Sequence, residues 1–252
     1  MNSDTLSQLK RRAGLRQRLM AWMLSQRSPD YEQAVSRRKQ TLIGSLQGDI
    51  LEIGPGAGPN LPFYAAGVHW LGVEPNPFMH AYLLKAIQQL GLSADRYRVD
   101  PGDARGIRLP AEDSSMDAVV STLVLCSVPD PDASLQEILR VLKPGGRFVF
   151  IEHVAAEKGT RLRTFQNLLQ PVWSLVGGGC HPNRETWETI SRAGFARVEI
   201  EHFEYPGGGL VGPHIAGKAE TPLIPDFQKH KNGGGENTDF KTMKTWKKKP
   251  LL

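Results

Sequence analysis

Residues 50–58 read Ile50-Leu51-Glu52-Ile53-Gly54-Pro55-Gly56-Ala57-Gly58: an apolar run with an embedded acid, then glycine at every second position. Glycine reaches positive φ and carries no Cβ. A strand ending at Ile53 can therefore turn sharply and present bare backbone to a nucleoside-bearing ligand. The dinucleotide fingerprint G-x-G-x-x-G needs its third glycine where the next helix packs on the strand. Counted from Gly54, that place is Pro59, and a glycine falls at 58 instead. The loop departs from a nicotinamide-dinucleotide site while keeping the backbone of a nucleotide-facing turn.

Beyond this loop, apolar runs and helical periodicities alternate. Residues 68–73 read as a strand ending at Glu74, 78–90 as a helix stopped by Gly91, and 97–99 as a short strand. Residues 117–125 form a nearly continuous apolar run, as expected of a central parallel strand buried on both faces. A helix over 133–142 leads into the turn Lys143-Pro144-Gly145-Gly146 and a strand over 147–151. Strand and helix in alternation predict a parallel sheet with helices on both faces. A helix over 184–192 and two strands, 196–203 and 214–219, joined through the glycines at 207–209, close the chain as an antiparallel pair.

The 252 residues carry a net charge of +5 that is unevenly spread. Residues 1–48 hold nine Lys/Arg against three acids, and 221–252 hold seven against three, so the centre is acidic. That distribution argues against a nucleic-acid groove across the core, where clustered Lys and Arg are required. Apolar residues at 6, 9, 13, 20 and 23, with Lys10, Arg11, Arg12, Arg16 and Arg18 between them, predict a basic amphipathic helix over 6–24. Three readings of it stand side by side: a cap over the domain, a membrane-surface helix and an Arg-rich transit peptide. A second helix is expected over about 30–46. From 221 the composition turns to Lys, Thr, Asn and Gly without periodicity, which predicts a disordered tail. The expected domains are a basic helical cap at 1–48, a catalytic body at 49–220 and a tail at 221–252. No apolar run nears the roughly 20 residues that span a bilayer. Two cysteines, Cys126 and Cys180, make no disulfide framework and point to a reducing compartment. The expected location is cytoplasmic, with peripheral membrane contact through 6–24 and organelle targeting as the alternative.

Several residues fall where a bound nucleoside and its reaction partner would lie. Glu74 follows Gly54 by twenty residues at the end of the second strand, the position from which an acid accepts hydrogen bonds from ribose hydroxyls. Gly102-Asp103 follows the third strand, where a carboxylate can accept from an adenine amino group while the backbone reads the ring edge. Leu123 and Cys126 lie toward the carboxyl end of the fourth strand, the edge at which open α/β sheets bind ligands. Cys126 reads as a pocket-wall residue. His153 follows Glu152 at the end of the fifth strand, and its near-neutral pKa suits either a general base or a pocket hydrogen bonder. No residue set is expected to hold a metal.

With these residues in place, the chain resembles class I S-adenosylmethionine (SAM) methyltransferases. Glu52, Gly54, Gly56 and Gly58 match their first motif, and Ser115-Met116-Asp117-Ala118-Val119 resembles their S-F-D-x-V segment, in which Asp117 is structural. Lys143-Pro144-Gly145-Gly146 resembles the L-K-P-G-G turn of the UbiE-like members. A narrower likeness is carried by Thr122-Leu123-Val124-Leu125-Cys126-Ser127-Val128, Glu152-His153-Val154-Ala155-Ala156-Glu157, Arg184-Glu185-Thr186-Trp187 and Pro213-His214-Ile215. Together they look like the methyltransferase-like family seven, the microsomal and lipid-droplet-associated alkyl-thiol methyltransferases. Two departures stand out: the longer hydrophobic N-terminal anchor of the animal members is not matched, and Pro55 stands where Cys is usual. The resemblance implies a Rossmann-like α/β fold, SAM as cofactor and a small lipophilic acceptor, a thiol first. It assigns Glu52, Gly54, Gly56, Gly58, Glu74, Gly102, Asp103 and Leu123 to the cofactor, and Cys126, His153 and Arg184 to the acceptor. Trp173, Cys180, His181 and His214 come from the same acceptor segments. The alternatives are a UbiE-like C- or O-methyltransferase of a quinone or phenol, and a non-catalytic SAM-binding or membrane-associated protein.

Overall fold

The computed structural model describes residues 14–26, 28–102 and 108–223. Seven strands form one sheet: β1 (Asp49–Ile53), β2 (His69–Val73), β3 (Tyr97–Asp100), β4 (Met116–Thr122), β5 (Leu142–His153), β6 (Arg197–Glu204) and β7 (Pro213–Glu220). Their order is β3-β2-β1-β4-β5-β7-β6. Strands β1 to β5 pair in parallel, while β7 runs antiparallel to both β5 and β6. Strand order reverses between β1 and β4, which opens the crevice where α/β sheets bind ligands. The α/β doubly wound sheet and its antiparallel closing pair are thus present.

Among the described residues six helices flank the sheet: α1 (Leu15–Ser25), α2 (Pro29–Leu42), α3 (Met79–Gln89), α4 (Pro131–Val141), α5 (Arg161–Val176) and α6 (Thr186–Arg192). Side chains alternate across a strand, so the two faces of the sheet belong to different cores. Leu51, Ile53, Val119, Phe148 and Phe150 pack with Leu135 and Ile138 of α4 and Ile190 of α6. Ile50, Ala118, Val120 and Val149 pack on the other side with Leu83 and Ile87 of α3 and with Ile43 and Leu46. Asp130 caps α4 by accepting the Ala133 N–H at 3.0 Å, with Pro131 at its first turn.

Several expectations need correction. The fourth strand stops at Thr122, not 125, because Leu123 takes φ +58. It donates its N–H to Ile151 O at 2.9 Å and peels the chain off the sheet. The Lys143–Gly146 segment is not a turn ahead of the strand. It lies within β5 as an irregularity where the register jumps from Met116↔Leu142 to Ala118↔Arg147. The helix near 184 begins at Thr186. Helix α5, sixteen residues long, was absent from the sequence reading. Within the expected cap, Ile43 and Leu46 are buried with Ile50 and Val120, and Val35 is buried with Ile151 and Ala216. At the other end, Thr221 donates its hydroxyl to Lys143 O at 2.7 Å and Pro222 O accepts the Gly145 N–H, so the body extends past 220. The predicted helix over 6–24 is described only from Leu15, and the tail beyond 223 lies outside the described residues.

Candidate functional site

The glycine loop leaves β1 with Gly54 and Gly56 both at φ +58. A Cβ on Gly54 would sit 2.8 Å from Val124 Cγ2, so side chains are excluded there by close approach as well as by conformation. Gly58, at φ +83, answers a different need, because a Cβ would meet Leu61 Cδ1 at 2.6 Å and Leu83 Cδ1 at 3.0 Å. The loop is tied to the end of β2. Gly54 N–H donates to Val73 O at 2.9 Å, and Gly56 N–H donates to Glu74 Oε2 at 3.0 Å. The other oxygen of Glu74 accepts the Asn76 N–H at 2.9 Å, so the carboxylate is held at the mouth of the crevice. Asn76 in turn donates Nδ2 to Gln17 O at 2.9 Å, which lays α1 over this loop.

Glu52 requires a correction. Its carboxylate accepts from Asn60 Nδ2 at 2.8 Å, Tyr64 Oη at 2.8 Å and Trp70 Nε1 at 2.9 Å, and the residue is buried. It therefore holds the far end of the glycine loop against β1 and β2 and does not face the crevice. Burial pushes its pKa up, and the three donors only partly oppose that shift. The sequence reading missed Asn60, Tyr64 and Trp70. Nothing local announces them, since the partners converge only when the loop folds back.

After the third strand, Gly102 N–H donates to Asp100 Oδ1 at 2.7 Å, and a Cβ on Gly102 would meet that oxygen at 2.8 Å. Asp103 lies outside the described residues. Across the crevice Leu123 holds its left-handed conformation through two anchors: its own bond to Ile151 O, and Glu152 Oε1, which accepts from Val124 N–H at 3.1 Å and Ser121 Oγ at 2.7 Å. Glu152 is a buried carboxylate whose pKa is raised by desolvation. Backbone bent in this way at the carboxyl edge of a sheet is common where a ligand is received.

Beyond it lies a cluster of soft donors. Cys126, His153 and Cys180 are all buried, and their ligand atoms lie within 4.8 Å of one another. Cys180 Sγ is 3.1 Å from His153 Nε2 and accepts the Trp173 indole N–H at 3.0 Å. The Cys126 thiol beside it, together with these donors, lowers the pKa of Cys180. Cys126 is pushed the other way, by its bond to Cys180 and by burial. The segments are locked together through backbone carbonyls: His181 N–H donates to Cys126 O at 2.9 Å, and the Arg184 side chain donates Nη1 to Leu125 O at 2.6 Å and Val128 O at 2.8 Å. Arg184 therefore holds the Cys126 loop through its carbonyls. Trp173 makes a polar contact to sulfur, while His214 is packed against Phe203 and Tyr31 and loses basicity, to about 4, through burial.

Residues fit for SAM are thus present on the carboxyl edge. Two left-handed glycines form a cradle without Cβ atoms, Glu74 is tied to it from the end of β2, and Leu123 turns the opposite wall. Residues 51–150 match a family model described as a methyltransferase domain. The chain is 38% identical over 199 residues to thiol S-methyltransferase TMT1A of Homo sapiens, covering 75% of this chain and 80% of that protein. It is 44% identical over 172 residues to thiol S-methyltransferase TMT1B of Rattus norvegicus, covering 68% of this chain and 69% of that one. A demethylmenaquinone methyltransferase of Lactococcus lactis is 32% identical, but over only 45% of this chain and 51% of its own. Among solved structures, the cyclase SpnF superposes with a TM-score of 0.61 at 20% identity, covering 76% of this chain and 82% of its own. The Haemonchus contortus phospholethanolamine N-methyltransferase 2, in complex with S-adenosylhomocysteine, gives 0.58 at 19%, covering 77% and 53%. At such identities the structural likeness establishes the fold alone.

Proposed function

This chain belongs to the thiol S-methyltransferase family and is a SAM-dependent methyltransferase, and from that premise we propose that its acceptor is a small lipophilic thiol. The observation that carries the proposal is the buried Cys126–His153–Cys180 cluster at the carboxyl ends of β4 and β5. It stands on the same sheet edge as the glycine loop.

SAM, when bound, supplies an electrophilic methyl group on a sulfonium. Gly54 and Gly56 offer it bare backbone, Glu74 accepts from its ribose hydroxyls, and Leu123 lines the opposite wall. Cys126 and His153 face the acceptor, and Arg184 positions the loop that carries Cys126. His153 does not act as a free base in this reading, because its Nε2 is turned to Cys180 Sγ. A free thiol of pKa ~8.5 is only a few per cent ionised at neutral pH, so a site that favours the thiolate form raises the reactive fraction. The remaining contribution is in-line positioning and exclusion of water. Incubation with methyl-labelled SAM and a matched panel of alkyl thiols, phenols and quinones tests the assignment. Labelled thioethers are the expected product, and preferential methylation of a quinone or phenol would overturn it.

Peripheral membrane contact is a second element of the proposal, supported by two neighbouring exposed faces. Helix α1 exposes Leu15, Leu19 and Trp22, and α5 exposes Phe165, Leu168, Val172 and Val176 at helical spacing. Met20 of α1 lies beside Gly178, two residues past the end of α5, where a Cβ would sit 2.9 Å from Met20 Cε. Such a surface suits an interface that also delivers lipophilic acceptors. Among the described residues no helix is long and apolar enough to cross a membrane.

A further inference from the structure

We propose that Cys126, His153 and Cys180 form a zinc site whose fourth position is open to the acceptor sulfur. Only that last clause rests on the thiol reading. The three donors come from separate elements: the loop after β4, the last residue of β5 and the segment after α5. Two thiols and an imidazole with the fourth place free is a set that zinc accepts in catalytic centres. Zinc bonds of about 2.3 Å to sulfur and about 2.0–2.1 Å to nitrogen place tetrahedral ligands roughly 3.5–3.8 Å apart. The donors here already lie within 4.8 Å, with His153 Nε2 at 3.1 Å from Cys180 Sγ. A small outward relaxation admits the ion.

The surroundings favour a cation over a packed apolar corner. Both cysteines are free thiols, and burying them beside a histidine and the carboxylate of Glu152 gathers groups that seek positive charge. Glu152 Oε2 is buried and has no hydrogen-bond partner among the described residues. The nearby guanidinium of Arg184 makes its hydrogen bonds to the carbonyls of Leu125 and Val128. A divalent zinc with two thiolates is formally neutral, so the ion and its two sulfur ligands are buried together without net charge. The positions are fixed independently of any ion by the His181–Cys126 and Arg184–Leu125 backbone contacts. Trp173 donates its indole N–H to Cys180 Sγ and so orients one of the ligands. His153 Nδ1 has no partner among the described residues, so the two sulfurs carry most of the affinity.

A thiol that binds zinc loses its proton outright. The acceptor would enter as RSH and release H⁺ to solvent on binding. Its sulfur then attacks the sulfonium methyl: one S–C bond forms, another breaks, and the electron pair stays on the departing sulfur. No electrons are exchanged with the metal, and the neutral thioether product is a poorer ligand than the thiolate and leaves.

The test is metal content of the untagged full chain, purified under reducing conditions without chelator. One zinc per chain is expected, and cobalt substitution should give tetrahedral d–d bands with thiolate-to-cobalt charge transfer. Cys180→Ser and Cys126→Ser should each lose stoichiometric zinc while SAM affinity and circular dichroism are retained. Trp173→Phe should weaken zinc about tenfold through the lost indole N–H to Cys180 Sγ. Wild-type protein that stays zinc-free in zinc-buffered solution overturns the site, whatever the variants do. Thiol methylation by such zinc-free protein would leave the acceptor assignment standing. A zinc-loaded protein inert toward thiols would keep the metal site and remove the assignment of its fourth ligand.

Discussion

Gly56 donates its backbone N–H to the Glu74 carboxylate at 3.0 Å, so the loop after β1 and the loop after β2 form one unit before any ligand binds. The carboxylate is held in place from within and still lies at the mouth of the crevice. An acid fixed in this way loses little freedom on accepting a further hydrogen bond, which is the condition for binding tightly through few contacts.

Glu74→Ala is expected to weaken SAM binding by roughly 1.5–3 kcal/mol, the range for hydrogen bonds to a charged group. Isothermal titration calorimetry measures it directly. NADH should give no heat of binding, and tight NADH binding without SAM binding would remove the cofactor assignment.

Glu52→Ala strands three donors, Asn60 Nδ2, Tyr64 Oη and Trp70 Nε1, in a buried pocket. Leaving one such group unsatisfied costs about 1–3 kcal/mol. The variant should therefore lose about 3 kcal/mol or more in urea unfolding. Glu52→Gln, which keeps one carbonyl oxygen, should lose less. An unchanged midpoint would mean that the network does not carry the loop.

A pH-dependent limb is expected from Glu137. Its pKa is lowered chiefly by the hydrogen bond from Arg140, with the Leu109 N–H, 2.9 Å from Oε2, adding to the effect. A carboxyl with a depressed folded-state pKa adds stability above its ordinary value of about 4.3 and loses it as pH falls through the folded value. Glu137→Gln should be less stable than wild type at pH 7 by about 1–3 kcal/mol. That gap should close below about pH 4. A gap of constant size across the titration would assign the loss to packing.

Because its Nε2 is held by Cys180 Sγ, His153 acts through the surroundings that favour the acceptor thiolate. His153→Ala should therefore leave SAM affinity nearly unchanged and lower kcat/KM about tenfold or more for thiols of high pKa. Acidic thiols, already ionised at assay pH, should lose much less. A uniform loss across size-matched thiols would reduce His153 to a wall of the site.

The exposed face of α5 makes a separate prediction. Leu168→Glu with Val172→Glu should cut sedimentation with anionic vesicles about tenfold or more, since each buried apolar side chain contributes about 1.5–3 kcal/mol. SAM binding in solution should be unaffected. Undiminished sedimentation would move the attachment elsewhere.

Taken residue by residue, what could be read early was whatever repeats at short range. The alternation of strand and helix, the left-handed glycines after β1, the acid at 74 and the antiparallel closing pair follow from local propensity and fixed spacing, and these suffice for the fold and for a cofactor crevice. Helix α5 carries the same kind of signal in its apolar spacing between Arg161 and Gly177. The tertiary structure alone decided the rest. Glu52 turned into a buried hydrogen-bond network, Leu123 ended its strand three residues early, and Cys126, His153 and Cys180, far apart in the chain, came within 4.8 Å of one another. The physical reason is that short-range spacing encodes backbone periodicity. Which side chains meet at the sheet edge depends instead on how three distant loops are tied to it, and those ties are hydrogen bonds that form only once the sheet is built.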